Sequence, residues 1–174
     1  IYDGVTTVVT GNCGESNTDI GKYLSWLHSL RLSVNVATLI GHNDVRKAVM
    51  GLANRDATPQ EMLQMEAMVN KAMQDGAVGL STGLIYIPGT YTKTPEIIAL
   101  AKIVSKYGGV YATHIRDEGD SVVSAINEAI AIGREAGIPV EISHFKLSGQ
   151  QNWGRSKETI QMVKTAREQG IEVT

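Results

Sequence analysis

The sequence contains one cysteine, Cys13, and therefore cannot form an internal disulfide bond. This scarcity is typical of proteins in a reducing compartment, so we expect a cytoplasmic location. The formal net charge is only −2 and the pI is about 6.1, so the chain lacks the strong positive charge that favours nucleic acid or an anionic membrane. We therefore expect no nucleic acid and no membrane among its partners.

Long apolar segments are also missing. No run reaches the roughly 18 residues that a membrane-spanning helix needs, and the first residues show neither the basic start nor the apolar core of a signal peptide. Hydrophobic residues make up 43% of the chain and charged residues 20%, a balance typical of a globular protein rather than a disordered one. The 174 residues suffice for one sizeable core but not for two comfortable domains.

Short apolar, β-branched runs alternate with helical patterns along the whole chain. The pattern predicts strands at 5–10, 34–40, 77–82, 110–115 and 140–144, with a sixth that begins at 171. It predicts helices between them, and the clearest start is Thr58-Pro59-Gln60-Glu61, with an N-cap, a proline and a glutamate three residues after the cap. No hairpin signal joins consecutive strands. Because parallel strands need such helical crossovers, we predict an α/β fold with a parallel sheet.

Two observations favour a barrel over an open, doubly wound sheet. Chemically capable residues follow nearly every predicted strand, whereas an open sheet concentrates its site at one switch point. The first strand is also not followed by Gly-x-Gly-x-x-Gly, the phosphate-binding motif of dinucleotide-binding doubly wound sheets. We therefore predict a parallel (β/α)8 TIM-type barrel, of which this chain covers roughly strands two to seven. The chain opens without methionine and stops inside a strand, so we expect residues 1–174 to be part of a barrel catalytic domain in a longer protein.

Two histidines end two of the predicted strands. His114 and His144 lie 30 positions apart, about the length of one strand–helix–strand step, so both imidazoles should emerge at the same end of neighbouring strands. Cys13 follows another strand in a Gly-Asn-Cys-Gly turn. Histidine nitrogen and cysteine thiolate are good zinc ligands, so the three residues form a candidate metal site. Two alternatives stay open: histidines hydrogen-bonded within the core, and a nucleophilic cysteine with a histidine base.

Charged residues begin two positions after each histidine. Arg116, Asp117 and Glu118 are either solvated loop charges or groups that support a ligand or bind a substrate carboxylate. Lys146 lies two residues after His144, so strand alternation would point it to the same side, where a cation suits an anionic substrate. An ordinary surface lysine is the equal alternative.

Three further residues stand near predicted strand ends. Tyr86 lies in an apolar loop, 83–92, that we expect to fold over a pocket. His42 follows the second strand, and a supporting or loop-capping role for it is slightly favoured over a ligand role. Trp153 is a weaker candidate for the mouth of a site.

Four motifs together resemble a known family. They are the segments at 4–14, 79–86, 113–118 and 143–146, which read GVTTVVTGNCG, GLSTGLIY, THIRDE and SHFK. In this order and spacing they resemble the N-acyl-D-amino-acid deacylases (D-aminoacylases) of the metal-dependent amidohydrolase superfamily. The resemblance covers essentially the whole chain. It implies a (β/α)8 barrel that hydrolyses the amide of a small-molecule N-acyl-D-amino acid to a carboxylate and a free D-amino acid.

The resemblance also implies roles for particular residues. Cys13, His114 and His144 match metal-ligand positions, with zinc, as one or two ions, the usual metal. Lys146 and Tyr86 match positions near the substrate carboxylate, and we add Arg116 as a further substrate-binding candidate. The family's His-x-His pair and its general-base aspartate are missing, so we expect them outside these residues and expect the 174-residue chain alone to be inactive.

Two rival functions remain from the sequence. One is another amidohydrolase that acts on a cyclic amide or ester. The other is a non-catalytic scaffold fragment whose open barrel edges pair with another chain.

Overall fold

A computed structural model describes residues 3–174. The strands and helices alternate as the sequence pattern predicts. In chain order they are β1 (Thr7–Thr10), α1 (Ile20–Ser29), β2 (Asn35–Thr38), β3 (Ile40–Gly41), α2 (His42–Met50), α3 (Pro59–Gln74), β4 (Gly79–Gly83), α4 (Thr94–Ser105), β5 (Val110–His114), α5 (Val122–Ala136), β6 (Val140–Ile142) and α6 (Ser156–Glu168).

The strands follow one another in space in the same order as in the chain. β1 pairs with β2, and β3, β4, β5 and β6 pair in that order, every pair being parallel. The amide of Val78 donates to the carbonyl of Thr38 at 2.9 Å and links the two sheets. The prediction of an α/β fold with parallel strands is confirmed. Over these strands the order never reverses, unlike that of a doubly wound sheet.

The sheet is strongly curved. β1 and β6 are four strand positions apart if β2 and β3 count as one, so in a flat sheet they would lie roughly 19 Å from each other. Yet Nδ2 of Asn12, two residues after β1, lies 3.1 Å from Oγ of Ser143, one residue after β6. Two extended residues span only about 7 Å, so the carboxyl ends of the strands must gather around a concave mouth. Within residues 3–174 the strands do not close into a complete barrel.

Helices α3, α4 and α5 cover the convex side of the sheet. They bury one face each, including Val69, Ile97, Leu100 and Ile126, all of which are at most 1% exposed. Each such side chain contributes about 1.5–3 kcal/mol by leaving water. Thr58 and Glu61 form the predicted capping box at the start of α3. Among residues 3–174 we find no helix that combines the length and the apolar character required to cross a bilayer.

Several predicted strand boundaries were wrong; the first strand, for example, begins at Thr7 instead of residue 5. The strand predicted at 34–40 is divided at Leu39, whose amide donates a hydrogen bond to the carbonyl of Thr10. The helix α2 that follows was not predicted. The strand predicted at 140–144 ends at Ile142 because His144 adopts a positive φ of 42°. The strand predicted from 171 is a single bridge between Val173 and Val140.

Candidate metal centre

The structure brings Cys13, His114 and His144 together at the mouth of the curved sheet. Each offers one ligand atom, and these atoms lie within 4.8 Å of one another. Sγ of Cys13 is 3.8 Å from Nε2 of His144, and the two imidazole rings meet edge to face with centroids 4.3 Å apart. His114 is the last residue of β5, and the other two follow β1 and β6 by two to three residues. The spatial convergence expected from the strand ends is therefore present.

The turn that carries Cys13 is built for close approach. Cys13 has a positive φ of 54°, a conformation that costs a non-glycine residue of order 1–3 kcal/mol and is concentrated at functional sites. A Cβ on Gly83, at the end of β4, would lie 2.1 Å from the carbonyl oxygen of Cys13. Only glycine at that position lets the Cys13 turn pack against β4.

Hydrogen bonds to two strands fix the same turn. Oγ of Ser81 on β4 accepts from the amide of Gly14 at 3.0 Å and donates to the carbonyl of Gly11 at 2.5 Å. Oγ of Ser143 accepts from Nδ2 of Asn12 at 3.1 Å and donates to Glu141 at 2.7 Å. The position of the thiol is thus set by serines on β4 and after β6, which sequence reasoning did not single out.

The surroundings set the protonation of the candidate ligands. Burial raises the pKa of the Cys13 thiol, and the carboxylates of Glu141, Glu15 and Glu118 raise it further, against the opposing effect of Lys146. Burial lowers the pKa of His114, although Glu118 opposes this. At neutral pH the free chain therefore carries a protonated thiol and a neutral imidazole. A raised pKa argues against the alternative of a nucleophilic cysteine, because such a nucleophile needs a depressed thiol pKa.

These residues fit a bound metal ion. Nε2 of His114 is buried and has no hydrogen-bond partner, and Oε1 of Glu118 lies 3.5 Å from it without forming a hydrogen bond. A buried polar atom left without a partner costs about 1–3 kcal/mol, and such atoms are rare in folded proteins. A thiol and two imidazoles form the donor set typical of zinc, which removes the thiol proton on binding.

Two of the three predicted substrate-binding residues adjoin the cluster. Oη of Tyr86 lies 3.3 Å from Nδ1 of His114, and the rings pack edge to face at 4.7 Å. Nζ of Lys146 lies 3.2 Å from Nδ1 of His144. The reason given for Lys146 was wrong, because β6 ends at Ile142 and strand alternation does not reach residue 146.

Arg116, the third predicted substrate-binding residue, has its guanidinium bound by other groups. Its guanidinium makes two 2.9 Å hydrogen bonds to Glu128 and donates to the backbone carbonyls of Thr90 and Thr92. Among residues 3–174 no hydrogen bond joins it to Cys13, His114 or His144.

His42 and Trp153 are also separate from the cluster. His42 is fully buried at the start of α2, where its Nε2 lies 2.9 Å from Oε1 of Glu96. This supports the structural role that the sequence slightly favoured. Trp153 is 72% exposed. Glu118, one of three charged residues that the sequence offered either as solvated loop charges or as groups that support a ligand or bind substrate, lies against both histidines of the cluster.

No protein-family model matches the sequence. A D-aminoacylase from Alcaligenes xylosoxydans xylosoxydans is 41% identical over an alignment of 189 positions. The alignment covers 95% of this chain and 39% of that protein. A solved structure of a D-aminoacylase with a binuclear metal centre superimposes with a TM-score of 0.92 at 39% identity. The superposition covers 98% of this chain and 41% of that one. Along its length, this chain belongs to the D-aminoacylase family of amidohydrolases. The family predicted by resemblance is confirmed.

A second solved structure in this family carries a ligand. The N-acyl-D-glutamate deacylase from Bordetella bronchiseptica, complexed with zinc and a phosphonate mimic of the tetrahedral intermediate, superimposes with a TM-score of 0.93 at 37% identity, over 98% of this chain and 41% of that one. This chain spans about two fifths of the length of these D-aminoacylase relatives.

Proposed function

We propose that this chain is part of the catalytic domain of a metal-dependent N-acyl-D-amino-acid deacylase. The reaction hydrolyses the amide bond and releases a carboxylate and a free D-amino acid. The observation that carries the proposal is the convergence of Cys13, His114 and His144 at the mouth of a curved parallel sheet, in a chain 41% identical to a D-aminoacylase. The rival function on a cyclic amide or ester would use a similar metal site, so the substrate test below separates the two.

We propose further that residues 1–174 form strands two to seven of a (β/α)8 barrel. The unreversed strand order and the strong curvature of the sheet support this. In such barrels catalytic residues lie at the carboxyl ends of the strands, where the Cys13 cluster lies here. The general-base aspartate is expected outside these residues, so the 174-residue chain alone should not turn over substrate. A cytoplasmic location stays a prediction from the single cysteine.

The metal in this proposal is zinc, as one or two ions, held by the thiolate of Cys13 and the imidazoles of His114 and His144. When bound, zinc lowers the pKa of water towards neutrality and polarises a carbonyl group. The chain's part is to present three ligand side chains from three different strand ends. The serine hydrogen bonds and the packing against Gly83 hold the thiol in place beforehand, which limits the loss of conformational freedom on binding.

Lys146 and Tyr86 would orient the substrate. The side chain of Lys146 is half-exposed and its Nζ lies beside His144, so it can bind the carboxylate of an N-acyl amino acid next to the metal ligands. The ring of Tyr86 covers one side of His114 and limits the access of water to it. Arg116, with its guanidinium occupied by Glu128 and two loop carbonyls, would act by ordering the loop that carries Tyr86 rather than by touching substrate.

The test is turnover of N-acetyl-D-amino acids by the full-length protein that contains this chain, together with its zinc content. We expect hydrolysis of D- but not L-enantiomers, near-stoichiometric zinc, and loss of both activity and zinc in a Cys13→Ala, His144→Ala double variant. Trp153→Phe, an exposed change away from the cluster, should retain both. A protein that contains no metal, that hydrolyses both enantiomers equally, or that prefers a hydantoin or lactone would contradict the proposal.

A further inference from the structure

Glu118 is the one side chain in the described residues that lies close to both histidines of the cluster and to Lys146. Its Oε1 is 2.8 Å from Nδ1 of His144, 2.5 Å from Nζ of Lys146 and 3.5 Å from Nε2 of His114. The side chain is only 11% exposed. A single carboxylate oxygen therefore has three nitrogen neighbours around a candidate metal site.

The loop that carries Glu118 is firmly held. Oδ1 of Asp117 accepts from the amides of Gly119 and Ser121 at 2.6 and 3.2 Å. The carbonyl of Glu118 itself accepts from the amide of Ser148 at 2.7 Å, which ties this loop to the loop after His144. The carboxylate is thus fixed relative to His144 through the backbone, and its place does not depend on the side-chain contacts alone.

Resting on the proposed function, we propose that Glu118 is the positioning residue that prepares His144 to bind the metal. A carboxylate at hydrogen-bonding distance from Nδ1 favours the tautomer that carries its proton there. Nζ of Lys146 lies farther from the same nitrogen, at 3.2 Å, and donates to Glu118 at 2.5 Å, so the carboxylate is the closer partner of Nδ1. The lone pair of Nε2, the atom 3.8 Å from Sγ of Cys13, is then free to bind a metal ion. A carboxylate partner also increases the basicity of the imidazole and thereby its strength as a ligand.

The two histidines differ in this respect. Nδ1 of His114 faces only the neutral hydroxyl of Tyr86 at 3.3 Å, and Tyr86 is itself 46% exposed. His144 is the more exposed of the two histidines, at 37% against 8%, and burial restricts its ring less. The stronger orienting partner therefore lies beside the ligand that packing holds less well.

The experiment measures, by competition with a chelator, the zinc affinity of the full-length protein that contains this chain, and all variants below are made in that protein. We expect Glu118→Ala to weaken zinc binding about 10- to 100-fold, the usual effect of removing a group that orients a ligand. Glu118→Gln keeps an acceptor oxygen at the same place and should lose less. Glu158→Gln, which removes one negative charge from the exposed start of α6, is the matched control and should leave the affinity unchanged.

A second measurement separates positioning from a general structural role. Nitrogen-15 NMR of the imidazoles in the metal-free chain should show His144 protonated at Nδ1, and this tautomer should decrease in Glu118→Ala while His42 is unaffected. Unchanged zinc affinity in Glu118→Ala, or an unchanged His144 tautomer, would overturn the inference. If Glu118→Ala does not fold, Glu118→Gln decides: it removes the negative charge that strengthens His144 as a ligand, so it should still weaken zinc binding, and an unchanged affinity in that variant would overturn the inference.

Two further outcomes are distinguishable. If the absorption spectrum of the cobalt-loaded protein shows a lower coordination number in Glu118→Gln than in the unsubstituted protein, the substitution has removed a metal ligand. Glu118 would then bind the metal directly, which overturns the positioning role. If the unsubstituted full-length protein binds no zinc at all, the metal site of the proposed function is rejected, and the inference with it.

Discussion

Two clusters in this molecule have the same chemical make-up, a glutamate between a histidine and a cation. In one, Glu96 of α4 contacts His42 and Arg46 of α2. In the other, Glu118 contacts His144 and Lys146. The first is closed: His42 and Arg46 are fully buried, Nε2 of His42 meets Glu96 and its Nδ1 meets Asn43 at 3.4 Å. The second opens to solvent through Lys146, whose side chain is 49% exposed.

The difference lies in what the protein leaves without a partner. Both nitrogens of His42 are used by neighbouring side chains, whereas Nε2 of His114, beside the second cluster, has none. The first cluster does leave Nε of Arg46 unpaired, but the other two guanidinium nitrogens bind Glu96 and the carbonyl of Arg55. His42 is therefore structural because the fold satisfies both its nitrogens, whereas His114 is a ligand candidate because one of its nitrogens has no partner.

The largest contrast is expected between two histidine substitutions. His114→Ala should reduce the zinc affinity of the chain by more than about 100-fold, beyond the range for groups that only orient a ligand. His42→Ala should leave zinc binding intact in the folded chain and lower its stability instead. Chelator competition and urea denaturation measure the two effects. Equal loss of zinc in both variants would erase the distinction.

Stability should depend most on the closed cluster. Arg46→Ala leaves the charge of Glu96 buried beside His42 alone, so we expect the free energy of unfolding to fall by about 3–5 kcal/mol. Urea denaturation is the measurement. Lys93→Ala removes a cation from the exposed pair with Asp56 and should cost no more than about 1 kcal/mol. A loss in Arg46→Ala as small as that of the control would show that the closed cluster does not stabilise the fold.

The closed cluster should also respond to acid. Burial raises the pKa of Glu96, but the hydrogen bonds and charges of His42 and Arg46 outweigh it and hold the pKa below its ordinary value. A carboxyl with a depressed pKa stabilises the fold above its unfolded pKa and loses that contribution as pH falls through the folded pKa. Denaturation from pH 7 downwards should therefore show the gap between the unsubstituted chain and Glu96→Gln narrowing below about pH 4. A gap that stays constant with pH would contradict the shift.

The smallest effect is expected at Tyr86. Removing its hydroxyl in Tyr86→Phe takes a long, neutral hydrogen bond from His114, so zinc affinity should fall by about tenfold or less. Tyr107→Phe, which removes an exposed hydroxyl bonded to Asn70, is the matched control. A loss larger than that of Glu118→Ala would assign the main orienting role to Tyr86 instead.

The convergence of Cys13, His114 and His144 was predictable because each lies at or just after the end of a strand, and parallel strands end on one side of a sheet. The roles of His42 and Arg116 were not. Their partners, Glu96 and Glu128, lie 54 and 12 positions away on helices, and no periodic pattern pairs them. Helix α2 was missed because His42-Asn43-Asp44 carries no apolar repeat. Ser81 and Ser143 were missed because a small polar residue in a strand or directly after one gives no sign of which turn it will meet.

The span of chain between the candidate ligands has a consequence for folding. Cys13 and His144 are 131 positions apart, and they meet only once the intervening strands have formed their arc. A metal ion held by both would cross-link the two ends of that arc and restrict the unfolded chain, much as a covalent link across a long loop does. Withdrawal of the ion would thus lower the cooperative melting temperature of the whole arc instead of loosening one loop.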